Sequence, residues 1–127
     1  MKLNELKPGD RVMIDDDGVK REGTVVRVSH EEQEACIDNG VQEFWYPLQA
    51  ISGIPLNEEQ LLRLGFEHLP SEGGQKYGKG PVRVVALKPD FSAVEVWYRE
   101  DRRHFEHPIM VHELQNAHAQ MTKVPLE

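Results

Sequence analysis

The sequence predicts an α+β chain. A small, strongly bent sheet comes first, followed by a short capped helix, an antiparallel β-hairpin or three-stranded sheet, and a C-terminal helix. Three observations carry this. Short β-branched runs recur at regular spacing through the first 53 residues. A helix with both ends written into it follows at residues 57–65. After Pro108 the apolar period changes from two to that of a helix.

In the first half, Lys7-Pro8-Gly9-Asp10 reads as a turn and residues 11–14 as a strand. Asp15-Asp16-Asp17-Gly18 reads as a solvated hairpin tip; the alternating acids and terminal Glu of a calcium loop are absent. Residues 23–29, 34–37 and 41–46 are the next strands, separated by the polar turn 30–33 and the hairpin signal Asp38-Asn39-Gly40. Pro47 ends the last of them. This order, a Lys-Pro-Gly-Asp turn before Arg11-Val12, then Gly23-Thr24-Val25, then Trp45-Tyr46-Pro47, resembles the SH3-like small β-barrels, which include Tudor, KOW and chromo-type modules. The resemblance covers residues 6–51. It implies recognition of peptides or nucleic acid by aromatic residues at one barrel edge, where Phe44, Trp45 and Tyr46 stand. Strand alternation requires at least one of the three to be core.

In the central helix, Asn57 is an N-cap, Gln60 is placed to complete a capping box, and Leu56 and Leu61 are spaced as a hydrophobic staple. Glu58 and Glu59 sit at the positive end of the helix dipole. Gly65 closes the helix and turns Phe66 back towards Leu61. A helix of about two turns needs a packing partner, and Leu61, Leu62, Leu64 and Phe66 are the expected contact. Residues 68–81, rich in Gly and Pro, read as a loop. Residues 82–87 and 93–98 form a hairpin around the turn 88–92, with Val94, Val96 and Tyr98 on one face and Glu95 and Trp97 on the other. Residues 99–103 are a charged turn and 104–106 a third short strand. Val111, Leu114, His118 and Met121 form an apolar helical stripe with Ala117 beside it; His112, Glu113, Gln115 and Gln120 take the more exposed faces, and residues 124–127 fray. The division is a β subdomain at residues 1–53 and an α-β-β-α subdomain at 54–127 packed against it.

Two separated blocks carry a second resemblance. Residues 54–66, Ile-Pro-Leu-Asn-Glu-Glu-Gln-Leu-Leu-Arg-Leu-Gly-Phe, and residues 111–116, Val-His-Glu-Leu-Gln-Asn, resemble a group of small uncharacterised proteins of Bacteroides-type bacteria and their phages. The group's pattern is IPLTEEWLLKFGF, then strands, then YVHQLQNLYFALTG. This chain departs at His118 and Ala119, where Tyr and Phe are usual. The resemblance implies architecture and a phage or mobile-element origin, and carries over no catalytic residues.

Composition narrows the function. The 127 residues carry a net charge of −7, which opposes non-specific nucleic-acid binding. The charge is uneven: residues 1–56 hold six Lys/Arg against eleven Asp/Glu, whereas residues 68–105 hold seven against five. An anion would therefore be sought in the second region. No apolar run has the length of a membrane span, the first six residues lack a signal-peptide core, and the single cysteine, Cys36, permits no internal disulfide. A cytoplasmic protein with a buried Cys36 thiol is expected.

Residues 73–80 match G-x-x-x-x-G-K, but Gly80 follows in place of Ser or Thr and no strand–loop–helix surrounds it, so nucleotide hydrolysis is rejected. The flexible loop with Lys76 and Lys79 leaves one alternative, a nucleotide-ligand sponge or inhibitor of host signalling. His104, His107, His112 and His118, with Glu106 and Glu113, suggest another, a metal-dependent hydrolase. Their spacing is poor: His112 and His118 are six apart, whereas helical ligand pairs are three or four apart. A third alternative is nucleic-acid binding through the SH3-like half. The leading expectation is a non-catalytic binding or interaction module, with no cofactor, that acts on a protein partner or a small anionic ligand. Aromatic residues and Arg are favoured at binding hot spots. The expected surface is Trp45, Tyr46, Trp97 and Tyr98 with Arg99, Arg102 and Arg103, joined by Lys76 and Lys79.

Overall fold

The computed structural model describes residues 1–72 and 74–127. Among them the chain forms two five-stranded antiparallel sheets and two α-helices. After a 3-10 turn at Leu3–Glu5 come β1 (Arg11–Asp16), β2 (Val19–Ser29), β3 (Glu34–Asp38) and β4 (Glu43–Pro47). A second 3-10 turn at Leu48–Ala50 leads into β5 (Ile51–Ser52). Then follow α1 (Glu58–Arg63), β6 (Glu67–Leu69), β7 (Gln75–Lys79), β8 (Val82–Ala86), β9 (Val94–Tyr98), β10 (Asp101–Phe105) and α2 (Val111–Thr122). The first sheet runs β4-β3-β2-β1-β5 and the second β10-β9-β8-β7-β6. Neither closes on itself: each keeps two free edges.

The first sheet bends along β2, whose 11 residues pair with β1 through Thr24 and with β3 from Thr24 onward. Two local features permit the bend. The register with β3 slips between Val25 and Arg27, a bulge that sharpens twist. At Gly23 a Cβ would stand 2.4 Å from Ile37 Cγ2, so the two strands approach as only glycine allows. The turn between β1 and β2 is Asp17-Gly18, both at positive φ (56° and 86°), the backbone of a tight hairpin.

Each sheet has its own apolar cluster. Leu3, Val12, Ile14, Val25, Ile37 and Tyr46 belong to the first. Leu61, Phe66, Tyr77, Val84, Val96 and Leu114 belong to the second, which also receives Ile54, Leu56 and the C-terminal Leu126. Each large aliphatic side chain buried this fully contributes roughly 1.5–3 kcal/mol. Between the clusters lies α2. Its apolar stripe enters the second cluster through Val111, Leu114 and Met121, while its Gln115 reaches the first sheet. Gln115 Oε1 accepts from the Arg11 amide (2.8 Å), and Nε2 donates to Gly9 O (2.9 Å) and Leu126 O (2.8 Å).

α1 is capped at both ends. Asn57 Oδ1 accepts from the Gln60 amide at 2.9 Å. Gly65 (φ 93°) donates to Leu62 O and Phe66 to Leu61 O, each at 3.0 Å, the paired bonds of a Schellman ending. The reciprocal half of the expected capping box is absent, because the Gln60 side chain bonds Arg11 and Glu22 of the first sheet instead. The linker before α1 is clamped to the entry of α2, with Leu56 N donating to Ile109 O and Val111 N to Ile54 O.

Five expectations are corrected. The second sheet has five strands, not two or three, because residues 67–69 and 75–79 are β6 and β7 rather than loop. Glycine concealed the pattern: Gly78 has no side chain to show the alternation, and a Cβ there would lie 2.8 Å from Leu69 Cδ1 and 2.9 Å from Arg83 Nη1. Gly73, part of that expected loop and of its phosphate-loop pattern, lies outside the described residues. The charged turn is only Arg99-Glu100, since residues 101–103 already belong to β10. Leu62 is 48% exposed, since the two-turn helix offers only one face to the core. His112 and Gln115 are buried, not exposed, because α2 is covered on two sides. Finally, the tail does not fray: Leu126 is 1% exposed and packs in the second cluster. Among the described residues no helix is long and apolar enough to cross a membrane.

Candidate functional site

Strand alternation in the second sheet sends Tyr77, Val84, Val96 and Tyr98 inward, towards the helices, and a charged set outward. On the outer face the register aligns Gly78, Arg83, Trp97 and Arg102 in one row, and Lys76, Val85, Glu95 and His104 in the next. Trp97 is the centre of this surface. The Arg102 guanidinium carbon lies 4.1 Å from its ring centroid and Lys76 Nζ lies 5.0 Å from it. Such contacts are worth roughly 0.5–1 kcal/mol each at an exposed site.

A chain of polar contacts fixes the indole. Trp97 Nε1 donates to Glu95 Oε1 (2.9 Å), Glu95 Oε2 meets His104 Nδ1 (2.9 Å), and His104 Nε2 meets Glu106 Oε1 (2.6 Å). The Trp97 N–H and then His104 hold the Glu95 carboxyl below its ordinary pKa, against a smaller opposing effect of burial. Glu106 first, and Glu95 second, raise the His104 imidazole above its ordinary value. At neutral pH this face therefore presents Lys76 and Arg102 against one oriented indole, suited to anionic groups by charge and by the planar guanidinium fork; Arg83 stands in the same row, with Nη1 donating to Gly80 O (2.7 Å) and Val82 O (3.0 Å).

The other expected surface residues are dispersed. Arg99 stacks on Tyr98, 5.0 Å from its centroid, at the hairpin tip, and the Tyr98 ring packs on the second core. Arg103 projects from the opposite side of β10, where Nη1 donates to Gln120 Oε1 of α2 (2.7 Å). Lys79 Nζ donates to Leu64 O (2.8 Å), which occupies it as a cap on α1. Tyr46 is 4% exposed and belongs to the first core, its hydroxyl accepting from Asn39 Nδ2 (2.9 Å). Trp45 is 37% exposed on the edge strand β4, with Arg27 5.4 Å from its ring, while Phe44 is exposed on the opposite face, its ring 5.2 Å from that of Tyr46. Trp45 and Trp97 thus lie on different sheets. Cys36 is buried.

The histidines do not converge. His104 is engaged by its two glutamates, His107 Nδ1 lies 3.1 Å from Pro108 O, and His118 Nδ1 lies 2.9 Å from Val124 O. Burial lowers the His118 pKa. His112 is 2% exposed; its ring nitrogens have no hydrogen-bond partner among the described residues, and Glu5 Oε2 lies 3.7 Å from Nε2. No three His, Cys, Asp or Glu side chains among the described residues come together as a metal-binding group.

Two features were missed from the sequence. Arg83 beside Trp97 is one, and the period-2 alternation of residues 82–86, paired against 94–98, was the signal that could have placed it; the same alternation had already set Glu95 on the face of Trp97, though not as the indole's hydrogen-bond partner. A cleft of about 770 Å³ lies between β10, α2 and the Leu3–Glu5 turn. It joins residues about a hundred positions apart, and no local pattern announces it. No model of a known protein family matches this chain, and no curated protein or solved structure matches it significantly.

Proposed function

We propose that the chain is a non-catalytic binding module whose recognition surface is the outer face of the second sheet. The observation that carries this is Trp97, held by Glu95 through its N–H and approached by Arg102 and Lys76. An oriented aromatic ring ringed by cations is the composition of a binding hot spot. It favours an anionic partner, either a small ligand or an acidic protein segment. In a chain of net charge −7, the local basic excess argues for complementarity to a chosen partner rather than general attraction to polyanions.

A second reading concerns the first sheet. Its strand order, with the 3-10 turn between β4 and β5, supports SH3-like architecture for residues 1–53. Trp45, exposed on β4 with Arg27 5.4 Å from its ring, favours a peptide or nucleic-acid surface there. The two sequence blocks at 54–66 and 111–116 support membership in the Bacteroides-type group and a mobile-element origin.

The test is a thermal-shift screen of nucleotides, inorganic phosphates and acidic peptides, repeated on Trp97→Ala, Arg102→Ala and Trp45→Ala. Anything that binds only the folded state raises Tm. A shift lost in Trp97→Ala and Arg102→Ala but kept in Trp45→Ala supports the second-sheet surface. The opposite pattern moves the site to the first sheet, and a shift kept in all three refutes both.

A further inference from the structure

We infer that the free edge of β4 pairs with β4 of a second copy, joining two first sheets into one across a two-fold axis. The inference goes beyond the outer-face reading above and does not depend on it.

The four sheet edges among the described residues differ. Exposed edges are ordinarily blunted by shortness, charge, proline or a bulge. β5 has two residues, β6 has three with Glu67 and His68 among them, and β10 carries Asp101, Arg102, Arg103 and His104 in succession. β4 is the unprotected edge. Its five residues hold one charge, Glu43 at the start, and Pro47 blunts only the last position. Its register with β3 is unbroken. Glu43, Phe44, Trp45 and Pro47 are all exposed.

The backbone fixes which groups are free. Asn39 N donates to Gln42 O (3.1 Å) at the tip of the β3–β4 hairpin, and Gln33 O accepts from Leu48 N (3.3 Å) beyond its far end. Hydrogen-bonded and non-hydrogen-bonded pairs alternate along an antiparallel ladder. Phe44 with Ile37 and Tyr46 with Ala35 therefore bond across it, while Glu43 and Trp45 direct their N–H and C=O groups to the open edge.

These groups are complementary to themselves. An antiparallel pair centred on Phe44 sets Glu43 opposite the partner's Trp45, and Trp45 opposite the partner's Glu43. That register uses every edge-facing N–H and C=O of both residues, and it needs no N–H from Pro47. Phe44, 53% exposed, then meets the partner's Phe44 in a non-hydrogen-bonded pair, where side chains lie closest and aromatic pairs stabilise a ladder. On the other face, the partner's Glu43 arrives beside Trp45, whose ring already has Arg27 at 5.4 Å. Arg27 also lies 3.7 Å from its own Glu43, so two Arg and two Glu balance across the axis and no like charges stand directly opposite. This is what a two-fold interface requires, the same patch serving both copies. An unrelated strand would have to supply the pattern that β4 carries itself. The net charge of −7 on each copy opposes association at long range, which salt of about 0.15 M screens beyond about 8 Å. One strand pair is a small contact, so the dimer is reversible and concentration-dependent.

The experiment measures the mass of the full chain by sedimentation at physiological salt, up to about 1 mM, with amide exchange read by NMR over the same series. The expected result is a monomer–dimer equilibrium in which exchange slows with concentration at the Glu43 and Trp45 amides. The Phe44 and Tyr46 amides, already bonded to β3, should not change. Phe44→Lys and Phe44→Glu should each be monomeric where the wild type is dimeric, and an equal mixture of the two should associate again; near-UV circular dichroism checks that both are folded. A wild type that stays monomeric throughout overturns the inference. So does a dimer that leaves the Glu43 and Trp45 amides unprotected, one that survives Phe44→Lys, or a mixture that fails to associate. None of these outcomes touches Trp97, so the outer-face reading stands or falls separately.

Discussion

Glu95 illustrates how much one outward residue decides. It accepts the Trp97 N–H with one oxygen and engages His104 with the other, so the ring's orientation and the imidazole's charge share a single anchor. The His104 pKa is raised by Glu106 and then Glu95. The folded state therefore holds the proton more tightly than the unfolded chain. The contribution to stability is fully present below the ordinary histidine value of about 6.5 and is lost as pH rises through the raised folded value. NMR titration of His104 should give a midpoint above that of a free histidine, and Glu106→Gln should lower it more than Glu95→Gln does. High salt should shrink the effect, because the ring is exposed. A midpoint at the ordinary value would refute the contact chain.

At the scale of the element, α1 shows a helix specified almost wholly by its own residues. Asn57 and Gly65 occupy the positions their chemistry demands, and the Schellman bonds of Gly65 and Phe66 form as the sequence implies. Asn57→Ala should cost about 1 kcal/mol. Gly65→Ala should cost about 1 kcal/mol or more, because the position sits at φ 93° and a Cβ would press on Lys79 Cε at 3.2 Å. Urea unfolding should show a lower midpoint with unchanged slope in both. β7 is the opposite case. Its strand character arises from pairing with β6 and β8 across Gly78, and the same glycine that admits Leu69 and Arg83 made the segment read as loop.

At the scale of the molecule, α2 joins the two sheets, and Gln115 is the joint. Its three hydrogen bonds tie the first sheet, the helix and the C-terminal residues together. Gln115→Leu keeps the volume but strands an amide and two carbonyls, and should cost at least roughly 1–3 kcal/mol. Leu126→Ala should cost roughly 2–5 kcal/mol, the range for a fully buried leucine. Differential scanning calorimetry checks both. Near-neutral results would mean that the tail is not docked.

The sequence by itself determined the α+β class, both helices with the caps of α1, most of the first sheet, and the inward and outward faces of β9. Each of these rests on spacing of 2.0 or 3.6 residues or on local turn chemistry, which short stretches of chain contain in full. The tertiary structure decided what such stretches do not contain. It gathered Lys76, Trp97 and Arg102 while sending Tyr46 to the core, Lys79 to a helix end and Arg103 to α2. It buried Gln115, His112 and Leu126, residues whose polarity or terminal position reads as exposed until a second sheet covers them. The cleft beside β10 was settled the same way, because long-range packing, not local propensity, sets which surfaces face each other.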